Sequence, residues 1–491
     1  MPRTRRSARR PARTPRHTPP HVHWAAWLAL VLLTAPLAGL AQPADWPHPS
    51  EIEAPPLTLD PPQPRRAVLS NGLVVHLAED RTLPLVTGVA YVEAPGLYDP
   101  EGLAGLAGFT AALLREGGAG GRSPAAIDAT LERLAASVEA SSSDVLASVS
   151  FSSLSDTLDD VMPIWRDVLV APDFGAERTE VQRRRQLEAI RRVVDDPVQL
   201  AVREFQRRVA GDHPAGRYPT EATIGAIDRS DLVAFHQAYY GPATTVLAVS
   251  GDFEADAMLA RLERLFGGWD AEVATPPELP PYGVPQGRRI YLAEKELQQS
   301  ILIVGQPATY AYRGPYTAFT VANDVLGAGG FGSRLFTEIR TRRGLAYATG
   351  SQLTQGFEVP GTFLAYAFTR ADATAEVLGL LLGELERLRD EEVSQAELER
   401  SVTTLVNSSV FRDASVAAVA QRAARVELLG LPEGYFARHV EAMQALTPSD
   451  VQDGARQVID PDRLVILVVG DADAFDRPLE AFGPVERIEI E

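Results

Sequence analysis

Two similar stretches close the two halves of the chain: SDLVAFHQAYYGPATTVLAVSGD at residues 230–252 and SDVQDGARQVIDPDRLVILVVGD at residues 449–471. Both run from Ser-Asp to Gly-Asp at a constant offset of 219 residues, without a gap. Each is typical of an amphipathic helix, a turn with proline (Pro242 or Pro461), a buried strand and a tight turn. Two unrelated helix–strand units are the alternative, but the shared turn residues favour an internal duplication.

A proline-rich segment separates the two halves. Residues 271–288 predict a linker between an N-terminal domain (65–270) and a C-terminal domain (289–491). In each half, short strand patterns alternate irregularly with helical ones, beginning with a hairpin predicted at Ala67–Glu79. We therefore expect an α+β fold of two homologous domains, each a mainly antiparallel sheet covered by helices.

The N-terminus has the layout of an export signal. Residues 1–23 carry seven arginines and no acid, and an apolar run, Trp24–Leu40, follows and ends near a small-residue cleavage site at Ala41. This predicts a signal peptide at residues 1–41, with an uncleaved membrane anchor as the alternative. Residues 42–64 are a proline-rich leader. We expect an exported, periplasmic protein without a stable membrane span after cleavage.

Composition excludes several classes of function. The formal net charge of −18 becomes −25 once the seven arginines of the signal are removed, which disfavours nucleic acid as a partner. The sequence has no cysteine. Disulfides, thiolate catalysis and cysteine-bound metals are thereby excluded, and the protein depends on its hydrophobic core for stability.

The duplicated halves, each ending in a buried strand and Gly-Asp, resemble the insulinase (pitrilysin) family of peptidases. Further local matches are Ser70-Asn71-Gly72-Leu73, Asp195-Asp196-Pro197 and the segment DHPAGRYP at residues 212–219. The likeness covers residues 65–475. It implies the clam-shell half of a processing peptidase, as in mitochondrial processing peptidase and bacterial two-subunit peptidases.

Active members of this family bind zinc through H-x-x-E-H on the first long helix, where the glutamate acts as general base. The corresponding residues are Gly108, Ala111 and Ala112, so none of the three functional side chains is present. The family's third ligand would fall near Glu188, although Ala189 matches about as well. One carboxylate cannot hold a catalytic zinc, which takes about three protein ligands. The resemblance therefore implies no cofactor in this chain.

The remaining histidines offer no substitute metal site. After the signal peptide they are His48, His76, His213, His236 and His439, and no two lie three to five residues apart. His76 and Glu79 form an H-x-x-E on a strand, and we interpret His76 as a partly exposed sheet residue. His236 precedes Tyr239-Tyr240 on a helix and is expected to be structural.

The second half contains a glycine-rich stretch followed by an Arg/Tyr pair. Gly327, Gly329, Gly330 and Gly332 precede a short helix, which we expect Ser333 to cap and Gly344 to end before a strand. Arg340 and Tyr347 have the seven-residue spacing of the family's substrate-binding pair, so the resemblance assigns them that role. The alternatives are a helix-end cation and a packed strand aromatic. The glycines form either a substrate loop or a plain turn. A nucleotide-binding loop is not expected, because the lysine that such a loop requires does not follow them.

The leading hypothesis is a zinc-free subunit of a heteromeric metallopeptidase. A homologous partner with H-x-x-E-H would supply the zinc and the base, while this chain supplies Arg340 and Tyr347 for a peptide substrate. We expect no activity from the chain alone. The alternative is a non-enzymatic pseudo-peptidase with a structural or peptide-holding role. The sequence does not identify the substrate or the partner.

Overall fold

The computed structural model describes residues 63–490, with the exception of residues 284, 312 and 433. The predicted signal peptide and the leader as far as residue 62 lie outside these residues, and so does His48. The described residues belong to one compact unit. Among the described helices, none is both long and apolar enough to cross a membrane.

The first half is built on a six-stranded sheet with the order β1-β2-β6-β3-β5-β4. Only the β2–β6 pair is parallel. The strands are β1 (Arg65–Val68), β2 (Val74–Glu79), β3 (Leu85–Val92), β4 (Ser137–Ser142), β5 (Ala147–Leu154) and β6 (Thr245–Gly251). The helices are α1 (Leu106–Glu116), α2 (Pro124–Arg133), α3 (Leu158–Val170), α4 (Ala176–Val193), α5 (Pro197–Ala210), α6 (Glu221–Ala226), α7 (Arg229–Tyr239) and α8 (Ala255–Phe266).

The second half repeats this arrangement with the strand order β12-β7-β11-β8-β10-β9. Its strands are β7 (Arg289–Glu294), β8 (Gln299–Pro307), β9 (Ala346–Leu353), β10 (Thr362–Arg370), β11 (Val465–Gly470) and β12 (Val485–Ile488). Its helices are α9 (Tyr316–Asn323), α10 (Thr374–Asp390), α11 (Gln395–Ser409), α12 (Val416–Leu428), α13 (Tyr435–Gln444) and α14 (Pro448–Val458).

The α+β fold expected from the sequence is confirmed, and the duplication is visible in its elements. From β2 to β6 and from β7 to β11, corresponding strands occupy the same positions in the two sheets. The 219-residue offset holds for α7 and α14 at both ends, and for the starts of α5 and α12. The central strands β6 and β11 are almost entirely buried, because both of their faces are covered.

One helix of each half packs on the sheet of the other half. Helix α5 of the first half packs on the second sheet through a row of apolar residues (Leu200, Ala201, Phe205 and Val209). Helix α12 of the second half packs on the first sheet through Ala420 and Ala424. Phe205 has room for its ring because it faces Gly305, where an added Cβ would lie 2.8 Å from the ring. The exchange joins the two halves through apolar surface.

Candidate functional site

The helix that carries zinc ligands in active relatives is α1 here, and a buried carboxylate holds its N-terminus. Asp99 accepts hydrogen bonds from the backbone N–H groups of Gly105 (2.7 Å) and Ala107 (2.8 Å). Burial raises the pKa of Asp99 to about 6, although these donors pull it down. Sequence reasoning missed Asp99; its signal was an acid shortly before the first residues of the helix.

The three positions of the zinc motif differ in their surroundings. Gly108 is exposed, and an added Cβ would meet no atom within 4 Å. Ala111 is only 1% exposed, and Ala112 is half-buried. Glycine and alanine side chains have no atom that binds a metal. The residues present at these positions therefore do not fit a zinc site.

No other group takes over this role in the described part of the chain. Glu188 lies on the surface of α4 and pairs with Arg192 at 2.9 Å. Three or more His, Asp or Glu side chains do not converge anywhere among the described residues. No step that depends on zinc can therefore be assigned to these residues.

The two histidines singled out in the sequence are structural. His76 lies on β2 as expected, but the expectation of partial exposure is wrong, because α12 covers it and leaves 6% exposed. Its Nε2 lies 2.8 Å from Glu427, whose carboxylate also accepts hydrogen bonds from Arg66 Nε (3.0 Å) and Nη2 (2.6 Å). His236 is buried, with its Nε2 2.9 Å from the carbonyl oxygen of Leu169.

The glycine-rich segment begins inside one π-helical stretch, Asp324–Ala328, which contains Gly327, and a second π-helical stretch, Phe336–Arg342, follows it. Gly327 is buried against β9, where an added Cβ would come within 2.4 Å of the Ser351 nitrogen. A Cβ added at Gly329 would lie 2.7 Å from the Asp324 carbonyl oxygen, whereas Gly330 and Gly332 are exposed. Close packing thus explains two of the four glycines, and the other two remain open to solvent.

The predicted boundaries of the following helix are met only in part. Ser333 does not cap it, because its buried hydroxyl donates to the Gly330 carbonyl oxygen at 2.7 Å instead. Gly344 ends the helix with φ +64°, as predicted. The expected short α-helix is a π-helix, a rare form that often occurs at functional sites.

Arg340 and Tyr347 lie together in an exposed cluster of rings. The Arg340 guanidinium carbon lies 4.7 Å from the ring centroid of Phe336, 5.5 Å from that of Tyr347 and 6.0 Å from that of Phe331. Tyr347 is 79% exposed and Phe331 is 80% exposed. Among the described residues, Arg340 has no carboxylate partner, and the Tyr347 hydroxyl has no hydrogen bond. Both polar groups can therefore bind a ligand.

The acidic residue nearest to Arg340 on its helix pairs with other arginines and not with Arg340. The nearby acid on its helix is Glu338, which accepts hydrogen bonds from Arg342 (3.1 Å) and Arg343 (2.8 Å). These two guanidinium groups lower the pKa of Glu338. Glu338 is thus an anion already committed to two other cations.

A buried ion pair holds the start of this helix. Arg334 binds both oxygens of Glu397 on α11, at 2.8 and 3.1 Å. Burial alone would raise the pKa of Glu397, but hydrogen bonds from Arg334 and Ser394 lower it to about 2. This ion pair attaches to α11 the helix that carries Arg340.

A cavity of about 740 Å³ lies between the two halves. Gly108 of α1 lines it, together with Val198 and Val202 of α5, which are unusually exposed for apolar helix residues. From the second sheet, Ala348 and Tyr366 line it. Arg340 and Tyr347 are not among the lining residues; Ala348, next to Tyr347 in β9, points into the cavity from the other face of the strand.

Two family descriptions match the chain. Insulinase (Peptidase family M16) matches residues 74–217, and Peptidase M16 inactive domain matches residues 226–405. The chain belongs to the insulinase family. Its glycine and alanine residues at the metal-ligand positions make it a member of the zinc-less type.

Known relatives of this insulinase-family chain support the assignment. An uncharacterized zinc protease of Streptomyces coelicolor is 29% identical over 300 residues, which are 60% of this chain and 65% of that protein. The match thus spans just under two thirds of that relative's length. A crystal structure of a peptidase M16 inactive domain from Pseudomonas fluorescens is 25% identical, with a TM-score of 0.76 over 83% of this chain and 98% of that one.

A third comparison concerns the fold alone. The periplasmic protease PqqL of Escherichia coli is 15% identical, with a TM-score of 0.70. The similarity covers 91% of this chain and 50% of PqqL. This chain therefore has the fold of about half of that larger protease.

Proposed function

We propose that this chain is the zinc-free subunit of an exported, heteromeric insulinase-like metallopeptidase. One observation carries the proposal: the half-buried Arg340 at the end of the π-helix and the exposed Tyr347 at the start of β9 lie side by side without a carboxylate partner, while the metal-ligand positions are glycine and alanine. A guanidinium presents a fixed set of donors to a peptide carbonyl, and a phenol adds one toward a developing oxyanion. A homologous partner with H-x-x-E-H would supply zinc and the general base.

The test is peptide hydrolysis by this chain mixed with an M16 chain from the same genome that carries an intact H-x-x-E-H. We expect neither chain to be active alone. Tyr347→Phe should lower kcat by about 100- to 1000-fold, the usual effect of losing one oxyanion donor. Arg340→Ala should also weaken substrate binding, because it removes several donors at once.

Arg342→Ala is the matched control, since Arg342 lies on the same helix but is paired with Glu338. Size-exclusion chromatography checks that every variant still joins the complex. If the complex forms and both Arg340→Ala and Tyr347→Phe hydrolyse peptide at the wild-type rate, the assignment of this pair is wrong.

Export is part of the proposal, because residues 1–41 have the layout of a signal peptide. The mature protein should then begin at or near Gln42. Mass spectrometry of the secreted chain measures this directly. A chain that retains residues 1–41 in a membrane fraction would favour an anchor instead.

A peptide-holding pseudo-peptidase is the second candidate. The observation that favours it is the cavity of about 740 Å³, whose lining does not include Arg340 or Tyr347. A cavity of this size suits a small ligand or a peptide segment. In that case the chain would bind peptide without any partner, and the Arg340 and Tyr347 variants would leave the affinity unchanged.

A further inference from the structure

Three aromatic rings lie at the surface around the Arg340 guanidinium. Phe331 and Tyr347 are strongly exposed, and Phe336 is half-buried. In the described part of the chain, none of the three belongs to a cluster of buried apolar residues. The Phe331 and Phe336 rings meet edge to face, with their centroids 4.6 Å apart. Exposed rings that contribute nothing to the hydrophobic cores indicate a binding surface.

The turn that carries Phe331 exposes its ring by construction. Phe331 lies between Gly330 and Gly332, and Gly330 has φ +63°, a conformation that favours glycine. Arg400 of α11 lies against the turn, since a Cβ added at Gly332 would come within 3.3 Å of its Nε. With a glycine on either side, Phe331 is the one side chain at the tip of the turn.

A β-bulge brings Tyr347 to the other two rings. In the pairing of β9 with β10, Phe368 lies opposite Ala348, and Thr369 lies opposite Ala346. Tyr347 is thus the extra residue of β9, without a partner in β10. A bulge redirects a side chain, and β9 is an edge strand of the second sheet. The redirected Tyr347 ring contacts the same guanidinium as the two phenylalanine rings.

The size and chemistry of this cluster suit a peptide better than a second protein surface. A stable protein–protein interface buries about 800 Å² on each partner. An aromatic side chain offers about 150–250 Å², so these rings match one or two side chains of a ligand. Arg340 has no carboxylate partner among the described residues. Its N–H groups can donate to a main-chain carbonyl oxygen while the rings contact the side chain beside it.

We propose that Phe331, Phe336 and Tyr347 form a subsite for a large apolar side chain of the peptide, next to the carbonyl group that Arg340 binds. The inference rests on the proposed function, because it places the peptide on Arg340 and Tyr347. It adds the class of substrate, a peptide with an aromatic or large aliphatic residue at this position. Phe331 is then a specificity-determining residue.

Two peptides that differ in one residue test the subsite. Each is a short, fluorescein-labelled peptide of glycine and serine, with a central phenylalanine in one and alanine in the other. Fluorescence anisotropy measures their affinities for the mature chain, alone and mixed with the H-x-x-E-H chain after its zinc is removed by a chelator. We expect the phenylalanine peptide to bind about tenfold more tightly, because its ring leaves water. Equal affinities in both forms would overturn the proposal.

One variant and a matched control locate the preference. Phe331→Ala should bring the ratio of the two affinities close to one, without a change in thermal unfolding, because Phe331 lies outside the cores. Phe411 is equally exposed, at 78%, but lies in another segment, Val410–Asp413, so Phe411→Ala should keep the wild-type ratio. If the preference persists in Phe331→Ala, phenylalanine binds elsewhere, for example in the cavity, and the subsite is wrong.

The subsite and the proposed function fail in different measurements, because the ratio of affinities requires neither zinc nor turnover. Hydrolysis that depends on Tyr347, together with equal affinities for the two peptides, would overturn the subsite alone. A ratio that depends on Phe331, without any hydrolysis by the mixed chains, would support the subsite and overturn the metallopeptidase. Size-exclusion chromatography tests the other occupant: if Phe331→Ala prevents the complex from forming, the rings contact the partner subunit and the subsite is wrong.

Discussion

Arg340 is unusual among the arginines of its helix because it contacts rings and not acids. Arg334, Arg342 and Arg343 all bind carboxylates, whereas Arg340 lies over Phe336 and Tyr347. A guanidinium held on aromatic faces keeps its N–H donors available, and the rings limit its rotamers. A single side chain is thus positioned without being neutralised.

Introducing a single histidine on α1, the helix that carries the zinc ligands in active relatives, should not create a metal site. The wild-type chain is expected to bind no zinc stoichiometrically after dialysis, and so is Ala112→His, because catalytic zinc takes about three protein ligands. Metal analysis measures both. The double variant Gly108→His/Ala112→His places two imidazoles one turn apart and should gain weak metal affinity as a positive control. One tightly held zinc in the wild type would contradict the zinc-free assignment.

Sequence reasoning at the residue scale depended on local spacing. The absence of ligands at Gly108, Ala111 and Ala112 could be read directly from the sequence, and the family spacing singled out Arg340 and Tyr347. The hydrogen bond from the Tyr98 hydroxyl of the first half to Glu358 of the second half, at 3.0 Å, could not be found in this way, because the two residues lie 260 positions apart. Their proximity arises only when the two halves pack together.

At the scale of elements, the sequence predicted the order of strands and helices better than the form of the glycine-rich region. Residues 336–342 have the composition of an α-helix, and nothing in one sequence marks the wider turn of a π-helix. Residues four apart share one face of an α-helix as well, so the contact of Arg340 with Phe336 could be expected from the spacing alone, but the π-helical backbone could not. The element that presents the candidate site was therefore the one predicted least well.

The ion pair between Arg334 and Glu397 should contribute strongly to stability. Glu397→Gln leaves Arg334 buried without its anion, and breaking a buried pair costs about 3–5 kcal/mol. We expect a loss near the lower end of that range in urea unfolding, because the Glu397 side chain is 21% exposed. Glu399→Gln, on the exposed face of the same helix, should change little.

This contribution has a defined dependence on pH. Because the pKa of Glu397 is lowered from 4.5 to about 2, the pair's stabilising effect is full above pH 4.5 and is lost as the pH falls toward 2. The difference in unfolding free energy between wild type and Glu397→Gln should therefore shrink on acidification. A difference that stays constant down to pH 2 would show that Glu397 does not act as a bound anion.

The whole molecule is held together by exchange between its halves. The linker at residues 271–288 predicts two domains; in the structure, one cluster of buried apolar residues packs on the first sheet and another on the second. The sequence did not show that α5 and α12 cross to the opposite sheet, because an apolar helix face does not identify the surface that covers it. The exchange also forms the cavity, since α5 supplies Val198 and Val202 to its wall.

The halves should consequently depend on each other for folding. Residues 42–283 alone would expose Leu200, Phe205 and Val209 of α5 to water, and burial of one such side chain contributes about 1.5–3 kcal/mol. Residues 284–491 alone would leave the matching face of the second sheet uncovered. We expect each fragment to bind the dye ANS and to aggregate, whereas the two fragments produced together should form a soluble 1:1 complex.

Substitutions of Phe205 test the contact that joins the fragments. Phe205→Asp should prevent their association, because it puts a charge against Gly305 and the sheet, while Phe205→Leu should preserve it. Size-exclusion chromatography with light scattering distinguishes the outcomes. Two fragments that are each monomeric and unfold cooperatively on their own would mean that the exchanged helices are not needed for either half to fold.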